Sequence, residues 1–391
     1  MNTQNFKTKT YIAPRQNPSA AGFWVVAIDV GYSSVKTFSQ NMISSFPAYA
    51  RKVEFGASDN VFGGLEKDNI AYRDENKNEF IVGEAAVANI RADEADNSTA
   101  AMFIRNRFYS EEFKVLFRVG IALGMSKNNY GSPEGKKLFI QSGLPSEYSS
   151  ERSSDKSNFI TAMSGHHKFS LKLGMGSWKE YEFDVDESNL AIMAQPIGTF
   201  VSISTNNQGN PINDAQKYAA ANLLVIDPGF GTLDTFELSG HRVRTAKTWA
   251  NLGMHRVLQE ASKMISQKYK GTNIPVPALQ KVLGDGSFTT KFDPSTRRCE
   301  VIDFAPILEK ANEMVCREAI QTIDGFYNFL QDQQYVVLAG GTSVPWYDIF
   351  IDAYKGINVQ FIKGTANDNI PAIFSNVRGY YMNAINALRR L

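Results

Sequence analysis

Cysteine is scarce in this chain of 391 residues: Cys299 and Cys316 are the only two, and neither stands in a CxxC or Cys/His spacing. That argues against a disulfide framework and a zinc site, and it fits a reducing cytoplasm. Excess charge of either sign is missing as well. The 41 basic and 40 acidic side chains leave a formal charge of +1, so composition offers no electrostatic reason for direct binding to nucleic acid or to an anionic membrane. Nucleic acid, if it matters, enters through a partner. No apolar run approaches the roughly 20 residues of a membrane span, and the polar start "MNTQNFKTKTYIAPRQNPSA" has no apolar signal core. Residues 1–22 read as a flexible N-terminal extension.

Two common phosphate motifs are lacking too. "GSPEGKK" at 131–137 has three residues between Gly131 and Gly135 and no Ser or Thr after Lys136, so it reads as a surface turn and not as a Walker loop. "GFGTLD" carries Asp234 where a dinucleotide fingerprint places its third glycine.

What the chain does have is a set of short apolar runs that read as interior strands of a mixed α/β sheet: 23–30, 137–145, 223–227 and 335–341. Each ends at a turn carrying glycine or an acid. Between the later runs lie helical stripes, Val257, Ala261, Met264, Ile265 and Lys268 in one, and Ile307, Leu308, Ala311, Met314, Val315, Ala319 and Ile323 in another. Both read as core faces. The polar stretch 204–217 reads as a loop near mid-chain, and a length of 391 residues fits two domains.

Two of the strand ends repeat one pattern. "AIDVGYSSVK" gives Asp29, Gly31, Ser33, Ser34 and Lys36; "VIDPGFGTLD" gives Asp227, Gly229, Phe230, Gly231, Thr232 and Asp234. The second aspartate follows the first at an offset of 198 positions (227 − 29), about half the chain, the spacing expected of two similar halves facing a shared cleft. Glycines let backbone N–H groups approach a ligand without an intervening Cβ, and hydroxyls add donors for phosphate oxygens. An aspartate before such a turn repels phosphate unless a cation or its water lies between, and magnesium, which keeps most of its waters, is the natural candidate. Lys36 would return across the hairpin to neutralise phosphate charge. One such turn is better explained by the turn propensities of Asp and Gly; two, half a chain apart, are not.

The segments "IDVGYSSVK", "AQPIGT", "VIDPGFGTLD", "VVLAGGTSVP" and "FSNVRGYYMNA", in that order, resemble the actin-like ATPases, and within them the bacterial plasmid-segregation proteins of the ParM/StbA type. The resemblance runs from about residue 23 to 391. It implies an α/β, actin-like (ribonuclease H-like, duplicated) two-domain fold with a nucleotide cleft between the domains. Domain I would comprise 23–196 plus 371–391, with an inserted subdomain at about 45–100. Domain II would comprise 197–370, with an insertion at about 240–330.

Roles follow from the same resemblance. Asp29 and Asp227 would hold hydrated Mg2+; Gly31, Ser33, Ser34 and Lys36 match one phosphate loop, and Gly229, Gly231 and Thr232 the other. Gly340, Gly341 and Thr342 match the turn against which the nucleoside lies. Gln195 matches the residue that orients the attacking water, with Asp234 second in line and an amide cap of the following helix as the plain alternative. The implied function is an Mg-dependent ATPase, GTP remaining open, whose closure on nucleotide favours a homopolymeric filament that moves plasmid DNA through a DNA-binding adaptor. Other users of the fold are a division scaffold and a sugar-kinase-like phosphotransferase. Gln195 argues against the kinase, and the ending "YYMNAINALRRL" reads as a helix packed on domain I in preference to a membrane anchor. Phe230 is the departure, a bulky residue where many relatives have a small one.

Overall fold

In Phe23–Val30 (β2), Trp24, Val26, Ile28 and Val30 join one hydrophobic cluster and Val25 and Ala27 join another. The strand alternates faces with period two, and both faces are buried. The cluster on one side is completed by helix Glu111–Gly124 (α1), capped by the Ser110 hydroxyl, which accepts from Phe113 N–H, and opened by Glu111 and Glu112. The other side is covered by Ser375–Leu388. The computed structural model that shows this describes residues 2–60, 69–90, 106–149, 153–270, 272–290 and 297–390.

Around β2 lie Tyr11–Pro14 (β1), Ser34–Ser39 (β3), Met42–Pro47 (β4), Lys137–Leu144 (β8) and Leu190–Ala194 (β11), in the order β1-β4-β3-β2-β8-β11. A second large sheet is formed by Leu223–Pro228 (β12), Thr232–Ser239 (β13), Arg242–Ala250 (β14), Tyr335–Leu338 (β17) and Gln360–Lys363 (β18), ordered β14-β13-β12-β17-β18. Apart from β1 the two sheets have the same topology: an antiparallel meander of three strands, then two parallel strands reached by crossovers. The half-chain repeat of the sequence is therefore a repeat of architecture.

One side of the second sheet carries Met254–Lys268 (α3) and Ala305–Phe326 (α5), with Ser343–Ala353 (α6); the other carries Gln195–Ser204 (α2). The core stripes fall where expected, except that Met314 is 39% exposed and Lys268, at the end of the other stripe, is exposed too. Val276–Val282 (α4) and a hairpin of Ser287–Thr289 (β15) with Val301–Asp303 (β16) extend this lobe. Helix α2 and the helix Ser375–Leu388 (α7) cross between the lobes with glycine on glycine: a Cβ on Gly379 would lie 1.6 Å from the Gly198 carbonyl oxygen.

Two expectations change. The insertion in the first lobe is a five-stranded sheet, in which Ala50–Val53 (β5), Ile70–Asp74 (β6) and Glu79–Val82 (β7) are joined by Gly165–Leu173 (β9) and Lys179–Val185 (β10). The segment expected at about 45–100 is only part of it, and residues 61–68 and 91–100 lie outside the described residues. The N-terminal segment, expected to be flexible, is folded over residues 2–22: β1 pairs with β4, Arg15 donates to both oxygens of Asp368 at 3.2 Å, and the Tyr381 hydroxyl donates to the Pro18 carbonyl. Phe6 is buried in the core of the second lobe.

Candidate functional site

Parity places the two aspartates. In β2, Asp29 shares a face with Val25 and Ala27, the side covered by α7; in β12, Asp227 shares a face with Leu223 and Val225, the side covered by α2. Because α2 and α7 cross each other, the carboxylates are delivered to the space between the lobes. That space is a cleft of about 340 Å3. It is lined by Asp29, Gly31, Ser33, Ser34, Lys36, Gln195, Asp227, Gly229, Phe230, Thr232, Asp234, Gly340, Gly341 and Thr342. Gly231 alone of the expected residues is not in the lining. Its Cα faces the Tyr32 ring, which a Cβ would approach to 3.0 Å, so its lack of a side chain lets the two turns sit against each other.

Each turn is closed in the same way. Gly31 N–H donates to Ser34 C=O at 3.0 Å, and Gly229 N–H donates to Thr232 C=O at 2.8 Å. These glycine amides are spent on the turn itself, so backbone donors for a phosphate would have to come from the residues that follow them. The third turn docks on the second through the Thr342 hydroxyl, which donates to Gly229 C=O at 2.8 Å. Gly340 is required where it stands: its φ is +74° and a Cβ would fall 2.3 Å from Asp227 Oδ1.

Polar contacts separate the three carboxylates. Asp29 is the cross-strand neighbour of Lys36, whose Nζ is 2.9 Å from Oδ2, and Gln195 Nε2 donates to its Oδ1 at 3.2 Å. Only an NH2 group can face a carboxylate, so Oε1 of Gln195 is turned the other way. The helix-cap alternative for Gln195 fails, since α2 has no side-chain cap. Asp234 has both oxygens engaged, Oδ1 by the Thr248 hydroxyl at 2.6 Å and Ser146 N–H at 3.3 Å, Oδ2 by the Thr232 hydroxyl at 2.8 Å. It braces the second turn against its neighbours. Asp227 receives one side-chain donor, Asn376 Nδ2 at 2.5 Å, and burial pushes its carboxyl up to about 7, with Asp234 and Asp29 adding repulsion. Burial raises the Asp234 carboxyl in the same direction.

A hydrated cation fits this donor set. Lys36 compensates Asp29, while Asp227 is a buried acid whose surroundings oppose its charge. Magnesium keeps most of its waters and reaches few protein carboxylates.

Several cleft residues escaped the sequence reading. Asn376 couples α7 to the site, accepting at Oδ1 from the Thr199 hydroxyl of α2 at 2.6 Å while its amide donates to Asp227. It lay within the quoted "SNVRGYY" segment without a role. Arg107 stacks over the Tyr32 ring at 4.0 Å and donates to Val30 C=O at 2.6 Å; nothing in its local sequence points to the cleft. The Phe230 ring packs toward the second lobe's core and lies 5.6 Å from the His255 ring, which explains how a bulky residue is accommodated in that turn.

Solved structures match this arrangement over nearly the whole chain. A 15-stranded ParM filament from Clostridium botulinum matches at a TM-score of 0.68, covering 95% of this chain and 100% of that one at 20% identity. The fold is actin-like. A non-polymerisable quadruple mutant of pCBH ParM superposes on the actin-like chain at a TM-score of 0.66, with 93% and 99% of the two chains covered at 20% identity. The archaeal actin homologue Ta0583 in complex with ADP gives 0.61, covering 93% and 100% at 17% identity. Residues 27–198 match the family model described as actin like proteins N terminal domain. No curated protein matches the chain significantly. Among the described residues, no helix of this actin-like chain is long and apolar enough to cross a membrane.

Proposed function

We propose that the chain is a nucleotide-driven, filament-forming ATPase of the plasmid-segregation type. The observation that carries this reading is the meeting of two hairpins of identical register, one from each lobe, on a single cleft, with Gln195 held against Asp29 between them. A triphosphate touching both turns contacts both lobes, so its preference for the closed cleft shifts the lobes together. Lys36 and the Ser33 hydroxyl offer positive charge and a donor to the polyphosphate, while the Thr232 hydroxyl is committed to Asp234. Bound magnesium would supply charge neutralisation near Asp29 and Asp227. Gln195, an amide and no base, acts by orienting water through Oε1, and phosphoryl transfer depends mainly on such positioning and on charge stabilisation.

Self-assembly is supported by the likeness to proteins solved as filaments. Head-to-tail contacts that do not close a ring generate a helical polymer. The near-neutral charge of +1 favours cargo DNA held through a DNA-binding adaptor over direct contact. The test is purified protein with Mg2+ and ATP, ADP or a non-hydrolysable analogue, followed by light scattering, pelleting and phosphate release. Absence of nucleotide-dependent assembly over a wide protein concentration range would sink the filament reading, and absence of phosphate release would sink the ATPase.

A further inference from the structure

The N-terminal segment is fastened at three places that belong to different parts of the molecule. Residues 11–14 add β1 to the edge of the first lobe's sheet, a strand that the otherwise equivalent second sheet lacks. Thr10 N–H donates to Glu84 Oε1 at 2.6 Å, beside the inserted sheet. Beyond it, Gln4 Nε2 donates to Gly284 C=O at 2.5 Å and Phe6 is buried in the second lobe's core, where removing its ring from water favours the docked segment. The chain thus crosses from one lobe to the other along the mouth of the cleft.

In crossing it lines the cleft with Gln4 through Lys9 and with Tyr11. On its far side, Phe6, Lys7 and Thr8 also line a second cavity of about 560 Å3 between the inserted sheet and α4. The segment is therefore the wall separating two spaces. Its lysines alter the charge of the cleft, whose lining holds Asp29, Asp227 and Asp234 against Lys36, Arg107, Lys7 and Lys9. Without the two N-terminal lysines the acids outnumber the bases, and a polyphosphate would meet a formally negative cleft.

We propose that residues 2–14 are a strap forming a third wall of the nucleotide site, tied to both lobes, with Lys7 and Lys9 contributing to retention of the polyphosphate. This rests on the nucleotide reading above. Release of nucleotide then requires the lobes to part against the strap, so the strap acts chiefly on the dissociation rate.

The experiment uses a fluorescent ADP analogue with Mg2+, titrated and then chased with unlabelled ADP, on the full chain, the K7A/K9A double variant and a deletion of residues 1–10. The double variant alters two side chains that are not buried and keeps the fold even if the deletion does not. The expected result is roughly tenfold weaker binding for the double variant, with a shallower salt dependence, and on the order of a hundredfold for the deletion, mostly as faster release. Equal affinity and release in the full chain and the double variant would overturn the strap's role while leaving the site reading intact. A full chain that binds no nucleotide would overturn both, and the two failures are told apart by the first titration.

Discussion

Lys36 and Asp234 occupy the same place in two copies of one hairpin: each is the cross-strand partner of the aspartate that ends the preceding strand, Asp29 in one lobe and Asp227 in the other. In the first lobe the pair is an ion pair. In the second it is two buried acids, one braced by hydroxyls and the other driven up toward neutrality by burial. The duplicated scaffold thus carries opposite charge at equivalent positions, and the cleft it encloses is electrostatically lopsided before any ligand enters.

The two candidates for water contact separate by mutation. Gln195→Ala is expected to retain nucleotide binding within a few-fold and to lose roughly a hundredfold or more in phosphate release, since a positioning group is removed and no charge is. Asp234→Asn keeps its shape and an acceptor for Thr232 or Thr248, and is expected to reduce phosphate release by less than Gln195→Ala does. Single-turnover phosphate release on both variants decides it. The reverse order would transfer the water to Asp234.

Gly340→Ala places a methyl against the Asp227 carboxylate and in a left-handed conformation. Nucleotide affinity is expected to fall by more than tenfold, with a stability loss of about 1–3 kcal/mol. Titration and thermal melting of the variant measure the two effects separately; near-normal affinity would mean that Asp227 and the third turn can move apart without consequence.

His167 gives a pH dependence away from the cleft. It is buried in β9, its Nδ1 accepts from Arg118 Nε at 3.1 Å, and its Nε2–H donates to Met163 C=O at 3.0 Å. Burial, and then the Arg118 charge, lower its pKa from 6.5 to about 4. A depressed histidine favours the neutral folded form, while the unfolded chain takes up a proton near 6.5. The contribution is therefore complete above that pH and is lost as pH falls from 6.5 toward 4. Melting temperatures of the full chain should drop across this window, and His167→Gln, which cannot titrate, should flatten the drop.

Tyr380 lies in α7 with its hydroxyl buried and, among the described residues, without a hydrogen-bond partner. Burial, reinforced by Asp29, Asp227 and Asp234, raises its pKa well above the ordinary value. Removing an unsatisfied buried hydroxyl costs no hydrogen bond, so Tyr380→Phe is expected to leave stability unchanged or raise it by up to about 1 kcal/mol. Chemical denaturation checks this; a clear loss of stability would reveal a partner for the hydroxyl.

Much of this was legible because it is local. Strand parity in 23–30 and 223–227, the glycine turns and the helical stripes each follow from neighbours a few residues apart, and the half-chain offset between Asp29 and Asp227 disclosed the duplication. The illegible parts depend on partners far along the chain. Strands β9 and β10 complete a sheet begun about a hundred residues earlier; Asn376 meets Asp227 from a helix whose polar residues look like surface; and the N-terminal segment looked mobile because its composition is polar, while its anchors are backbone pairing, Phe6 and a distant Asp368. Met314 erred the other way: the stripe has the right period and ends at the edge of what α3 and α6 can cover.

The meeting of Gly198 and Gly379 has a mechanical consequence. The first lies in "QPIGT", one turn after Gln195, and the second in "NVRGYY", one turn after Asn376, so each glycine shares a helix with a residue that touches a cleft aspartate. Two backbones in direct contact form a bearing, with the Tyr380 ring packed against Gly198 beside it. Swivelling of one lobe against the other would be registered there as sliding of α2 over α7, and because Gln195 and Asn376 ride on those same two shafts, a change of angle would reset both at once. Alanine at either glycine would force the two helices apart, since its Cβ would meet the Gly198 carbonyl oxygen at 1.6 Å from position 379 and the Tyr380 ring at 2.4 Å from position 198.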